Sequence, residues 1–501
     1  MKLTNLSLLA QRRAGVLLHI SSLPSAYYVG DLGVEAFRFV DFLNSIGATV
    51  WQTLPINMPH ADNSPYQCLS AFAGNPDFIS LENLQTQGLL SKLDLSGLIS
   101  TKTLLLEKAY LAFIAQAETS QVSSIRAQQA FKRFCKRQAH WLNDFALFLA
   151  LRNKFNQAGW NFWPDSYKNR DAKVLRQIRK ELAHEIAVIQ FTQYVFFSQW
   201  LALKAYAASK NVYLFGDIPI FVAYDSADVW AQPHLFKLDV DKNMAVVAGV
   251  PPDYFSVTGQ RWGNPHYNWQ AMAQDGYSWW VSRMATQNAL FDIVRIDHFR
   301  GLEAAWEIPA SEDTAINGQW VLAPGDALLA AIKTALPKIC LVAEDLGIIT
   351  AEVDALREKY NLPGMKILQF AFSGNDDNPY LPANIEENSV VYTGTHDNDT
   401  TVGWYVTLNA EQTQQLERCI HGADSEPSQL NIPEDLIQLA LESNAILAIL
   451  PMQDLLALDT NHRMNTPGTC SGNWHWRFNW HQLAESPAEK ISEVIIRTGR
   501  S

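Results

Sequence analysis

The stretch Ile293-Val294-Arg295-Ile296-Asp297-His298-Phe299 enters on β-branched apolar residues and leaves on an Arg and an Asp two positions apart. Branched side chains favour an extended backbone, and a run apolar at nearly every position suits a parallel strand covered on both faces. Seven other segments share this character: Ala14–Ile20, Ala48–Ile56, Asn211–Ile220, Ile339–Gly347, Met365–Phe372, Ser389–Thr395 and Ala445–Leu450. Helix-patterned stretches precede several of them, namely Val34–Leu43, Gln199–Ala208 and Asp326–Leu336. Strands alternating with helices, eight in all, predict an α/β chain folded as a (β/α)8 TIM barrel.

The spacing is uneven. Roughly 155 residues separate the second and third strands, far more than one crossover helix needs. We therefore expect a single catalytic barrel over residues 1–501, interrupted twice. Residues 75–200 read as a mostly helical insertion. Residues 221–290, rich in Trp, Tyr, Asn, Gly and Pro, read as loops laid over the active site.

Composition narrows the function. With 39 basic and 51 acidic residues the net charge is −12, which disfavours nucleic acid and anionic membrane as partners, since both need a basic footprint. Sixteen Trp and 16 Tyr offer flat faces for sugar rings, although core packing uses such residues too. Five widely spaced cysteines (Cys68, Cys135, Cys340, Cys419 and Cys470) form no C-x-x-C pair and read as reduced thiols. No leader-like or membrane-length apolar run stands out, so a cytoplasmic protein is expected.

In a barrel, chemistry sits at the C-terminal ends of the strands. Those ends carry Asp217, then Arg295 with Asp297, then the neighbours Glu344 and Asp345, then His396 and Asp397. Arg295 and Asp297 share one side of a strand, which gives either a buried ion pair or an Arg that keeps a nucleophilic carboxylate charged. Of Glu344 and Asp345 only one can face inward, and spacing leaves open which. Two carboxyl groups flanking a bond are the apparatus of glycoside cleavage, one ionised and one protonated. Such chemistry calls for no metal and no organic cofactor, and no calcium-loop spacing is present.

Several segments together resemble the 4-α-glucanotransferases, the amylomaltases or disproportionating enzymes. They are Ser64–Gln67 (SPYQ), Ser70–Pro76, Gly249–Gly263 (GVPPDYFSVTGQRWG), Arg295–Gly301 (RIDHFRG), Ala343–Gly347 (AEDLG), Gly394–Thr400 (GTHDNDT) and Arg463–Arg477. The resemblance spans nearly the whole chain in matching order. It implies a retaining enzyme acting on α-1,4-glucans and maltooligosaccharides, with glucose or a glucan as acceptor. By position it implies Asp297 as nucleophile, Glu344 as acid and base, and Asp397 as the group gripping hydroxyls of the distorted sugar. It further implies that Arg295 orients Asp297, that His396 and Asp217 bind the same ring, and that Tyr66 stacks beside it. Trp262 and Asn264 are expected to line the groove, and Tyr254 with Phe255 to arch over it. Asp345, Asp399 and His298 are given structural or supporting roles, and His19 lies either near the sugar or in a core hydrogen bond. Ala383 stands where many members have His, which touches acceptor preference rather than reaction type.

Two rivals remain at this stage, a retaining α-glucan hydrolase and a non-catalytic glucan binder. A phosphate-binding barrel isomerase is disfavoured because no convincing Gly-rich loop follows the last strands. Sequence is silent on oligomeric state.

Overall fold

The computed structural model describes residues 8–27, 29–92, 94, 101–117, 122–252, 256–422, 430–469, 471–485 and 488–501. Every one of the eight apolar segments overlaps a strand: β1 (Arg13–Leu17), β2 (Val50–Gln52), β3 (Tyr213–Ile218), β4 (Ile293–Ile296), β5 (Leu341–Ala343), β6 (Gly364–Ile367), β7 (Ser389–Tyr392) and β8 (Leu447–Pro451). They pair in parallel in the order β6-β7-β8-β1-β2-β3-β4-β5. With β8 beside β1, the sheet wraps on itself as a (β/α)8 barrel.

One seam remains, between β5 and β6, and it is closed without a ladder. Ala343 N–H donates to Pro363 O at 2.9 Å, and Met365 N–H donates to the Asp345 carboxylate at 2.6 Å. Asp345 thus acts as a substitute backbone acceptor, with Arg357 Nε 3.3 Å from its other oxygen. Residue 364 must be glycine for this, since a Cβ there would fall 2.2 Å from Asp345 Oδ2.

The two-residue period of a strand sorts side chains into two cores. Leu17, Phe215, Ile293, Val342, Val390, Tyr392 and Ile449 fill the barrel interior. Their neighbours Val16, Leu214, Val294, Leu341, Val391 and Ala448 join the main core between strands and helices. Because Phe215 and Ile293 point inward, so do Asp217 and Arg295 two positions on.

Between β2 and β3 the chain is largely helical, from Leu81–Thr86 to the 27-residue helix Ala183–Ser209. By length and composition that last helix could cross a membrane, contrary to the expectation that no such run exists. It packs instead against helices Lys102–Ala117, Val122–Arg137, Ala139–Lys154 and Val34–Ser45, burying Phe191, Phe196, Trp200 and Leu203. A helix apolar around most of its circumference is what such central packing requires.

The chain does not simply loop over residues 221–290. Strands Val246–Val250 and Gln260–Pro265 join Ala304–Pro309 and Gln319–Leu322 in a four-stranded antiparallel sheet, and helix Ser278–Leu290 leads into β4. Two of those four strands lie outside the segment, so no local pattern announces the pairing. Among the described residues Cys68, Cys135, Cys340 and Cys419 are free thiols. Cys470 lies outside the described residues.

Candidate active site

Register brings the charged groups together. Asp217 on β3 and Arg295 on β4 are paired positions of the ladder. Arg295 Nη1 donates to Asp217 Oδ2 at 2.6 Å and stands 2.9 Å from Asp297 Oδ1. One buried guanidinium therefore bridges two carboxylates. Burial works against its charge but is outweighed by Asp217 and Asp297, so Arg295 stays protonated. Tyr66 donates its phenol to the same Asp217 oxygen at 2.7 Å, while Asp217 Oδ1 is buried without a protein partner.

Asp297 follows β4 directly and keeps 28% of its side chain open to the groove. Burial among the surrounding walls pushes its carboxyl up to about 6, against the pull of Arg295, with Asp217 and Asp397 adding to the rise. Glu344 follows β5 and is 9% exposed. Its Oε2 accepts the His298 backbone N–H at 2.6 Å and its Oε1 the Leu346 N–H at 3.1 Å. Burial pushes Glu344 up to about 8; Arg295 opposes that rise, Asp297 and Asp345 add to it, and the His298 N–H opposes it. Both carboxyls are raised by burial, Glu344 further than Asp297, which has Arg295 at 2.9 Å, so Asp297 is the more acidic of the two. The question left open by spacing is also answered: Glu344 faces this cluster, whereas Asp345 turns to the β5–β6 seam.

Asp397 lies on the loop after β7, with 48% of its side chain exposed. Asn465 donates to its Oδ1 at 2.6 Å, His396 Nε2 is 3.3 Å from its Oδ2, and Arg463 donates to its backbone carbonyl at 3.0 Å. Burial opposes ionisation here, but His396 and Asn465 outweigh it and hold the carboxyl down to about 2. The His396 ring stacks on Tyr66 at 5.3 Å and 14°, and Trp474 lies 6.0 Å from both rings.

Other expected groove residues divide. Trp262 is half-buried and meets the His298 ring edge-on at 4.9 Å. The Asn264 amide is spent on Gln67 (3.0 Å) and Val222 O (2.9 Å), tying its strand to the Tyr66 loop. His19 is buried and makes a core bond to Thr53 at 3.0 Å, and burial first, then His396, lowers its basicity. Asp399 accepts from Thr460 at 2.7 Å, a loop tie. Tyr254 and Phe255 lie outside the described residues. Asn465, Arg463, Trp474 and Gln67 were not singled out from sequence; only their place inside the quoted motifs could have signalled them. Among the described residues no group of three or more His, Cys, Asp or Glu is arranged to hold a metal ion.

A closed run of eight parallel strands with acids at its C-terminal mouth defines the chain as a (β/α)8-barrel enzyme. Residues 18–483 match the sequence model of glycoside hydrolase family 77, described as 4-alpha-glucanotransferase, and the chain belongs to that family. It is 46% identical over 503 residues to a 4-alpha-glucanotransferase of Thermus thermophilus, covering 98% of this chain and 99% of that one. A 4-alpha-glucanotransferase of Synechocystis is 43% identical over 509 residues, with 98% and 99% covered. Among solved structures, the amylomaltase of Streptococcus agalactiae in complex with acarbose superposes with a TM-score of 0.91 at 36% identity, covering 98% of this chain and all of that one.

Proposed function

We propose that this enzyme is a 4-α-glucanotransferase that moves a segment of an α-1,4-glucan to the 4-hydroxyl of glucose or another glucan through a covalent glucosyl–Asp297 ester. The observation that carries the reading is the arrangement at the strand ends, with Arg295 at 2.9 Å from Asp297 and Glu344 buried beside them, its carboxyl raised to about 8 by that burial. A nucleophile must be ionised and a general acid protonated at the same pH, and here one guanidinium and one buried carboxyl meet both demands.

In the first step an Asp297 oxygen attacks the anomeric carbon while Glu344 gives its proton to the glycosidic oxygen. The C–O bond breaks and the leaving chain departs with a free 4-hydroxyl. In the second step the Glu344 carboxylate takes the proton of an incoming 4-hydroxyl, whose oxygen attacks the same carbon and releases Asp297. Two inversions retain the configuration. Asp397, ionised and half-exposed, grips hydroxyls of the distorted ring, while buried Asp217 holds Arg295 and Tyr66 in place beside it. Tyr66 and His396, stacked together, give the sugar a flat wall.

The test is to trap the ester. Glu344→Gln removes the base of the second step, and an α-maltosyl fluoride donor needs no acid in the first. Mass spectrometry should then find a maltosyl adduct on the peptide containing Asp297. An adduct on another residue, or none while fluoride is released in step with product, would refute the assignment.

A further inference from the structure

His298 follows Asp297 and holds a left-handed backbone, φ 50° and ψ 53°, a conformation uncommon for a residue with a Cβ. Strained backbone of this sort persists only where its surroundings demand it, and it gathers at functional sites. Two contacts depend on it. The His298 N–H meets Glu344 Oε2 at 2.6 Å, and the imidazole meets the Trp262 ring edge-on at 4.9 Å and 87°. Gly301 makes room for the ring, since a Cβ there would sit 3.0 Å from His298 Cδ2 and 2.7 Å from Ile220 Cδ1. Burial, Arg300 and His266 hold the imidazole at about 4, so it is neutral and no rival proton donor at neutral pH.

We infer that His298 is a positioning residue for both halves of the site: its left-handed backbone aims an amide at Glu344, and its ring braces Trp262. The inference rests on the proposed role of Glu344 and extends it. An N–H bond favours the charged carboxylate, so losing it raises the pH at which Glu344 gives up its proton. The other ionisable groups facing Glu344 are Arg295 and Asp297 from the β4 end, Asp345 beside it and Tyr380 from the loop after β6.

Three variants separate backbone from ring. His298→Asn and His298→Gly lose the imidazole but tolerate the left-handed conformation, whereas a β-branched Val does not. The measurement is the pH profile of kcat/KM on maltotriose together with KM, after a thermal melt has shown each variant folded. For Asn and Gly the alkaline limb should stay in place while KM rises about two- to tenfold as Trp262 loses its brace. For Val the alkaline limb should move up by about one pH unit. An alkaline limb that moves equally in Asn, Gly and Val, or does not move in Val, overturns the backbone role. Unchanged KM in Asn and Gly overturns the ring role. If Val does not fold, Asn and Gly decide alone: a shifted limb in both refutes the inference. Glu344→Gln run alongside separates the two readings, because a variant that still transfers sugar sinks the role of Glu344 itself, whatever His298 does.

Discussion

Replacing Arg295 by Met should move the whole pH profile upward, not merely lower it. The guanidinium touches Asp217 at 2.6 Å and Asp297 at 2.9 Å and opposes the rise of both Asp297 and Glu344. A hydrogen bond to a charged group contributes about 1.5–3 kcal/mol, which is about one to two pKa units. Asp297, at about 6 with Arg295 in place, would then titrate near 7 to 8. At pH 7 its ionised share should fall from about nine-tenths to between about one-half and one-tenth. The Glu344 limb should rise in the same direction, because the same cation is lost. Initial rates on maltotriose from pH 5 to 10, with circular dichroism confirming the fold, should show the optimum displaced by about one to two units upward. An optimum that stays in place, with rates depressed equally at every pH, would mean that Arg295 acts by geometry alone and that the electrostatic reasoning fails.

For the unaltered enzyme, kcat/KM should be bell-shaped. It should rise through about 6 as Asp297 ionises and fall through about 8 as Glu344 loses its proton; a flat profile from pH 5 to 9 would contradict both assignments. Asp345→Ala takes the nearest carboxylate from Arg357, which keeps Asp354 at 3.8 Å and Leu362 O at 3.2 Å, and leaves the buried Met365 N–H without its acceptor; it should cost about 1–3 kcal/mol in denaturant unfolding. A loss under about 1 kcal/mol would remove Asp345 from the barrel seam. Asn465→Ala should lower kcat about tenfold while both pH limbs stay put, because Asp397 remains ionised but loses its 2.6 Å support; an altered acid limb would contradict this.

The barrel was legible because each strand is a local object. Ile293–Ile296 or Val390-Val391-Tyr392 declare themselves by consecutive apolar residues, and all eight such runs became barrel strands. The antiparallel sheet was not legible for the opposite reason. Gln260–Pro265 carries Gln, Arg, Gly, Asn and Pro, and its sheet is completed by Trp320 and its neighbours some 60 residues later, so the pairing is wholly non-local. The site shows the same division. Asp217, Arg295, Asp297, Asp397 and the Glu344–Asp345 pair could be read as candidates from strand ends, because a barrel sends those ends to one mouth, but the choice of Glu344 over Asp345 came from the resemblance alone. Asn465, Arg463 and Trp474 come from an irregular loop after β8, where no period marks which side chain turns toward Asp397. The His298 amide is invisible in principle, since a backbone donor has no letter of its own.

The most direct test of the account is maltotriose alone, with products separated by size while reducing ends are counted. Transfer predicts glucose and a ladder of longer oligosaccharides at a constant count. A rising count with only shorter products would make the enzyme a hydrolase, and unchanged maltotriose would contradict the catalytic reading of the site.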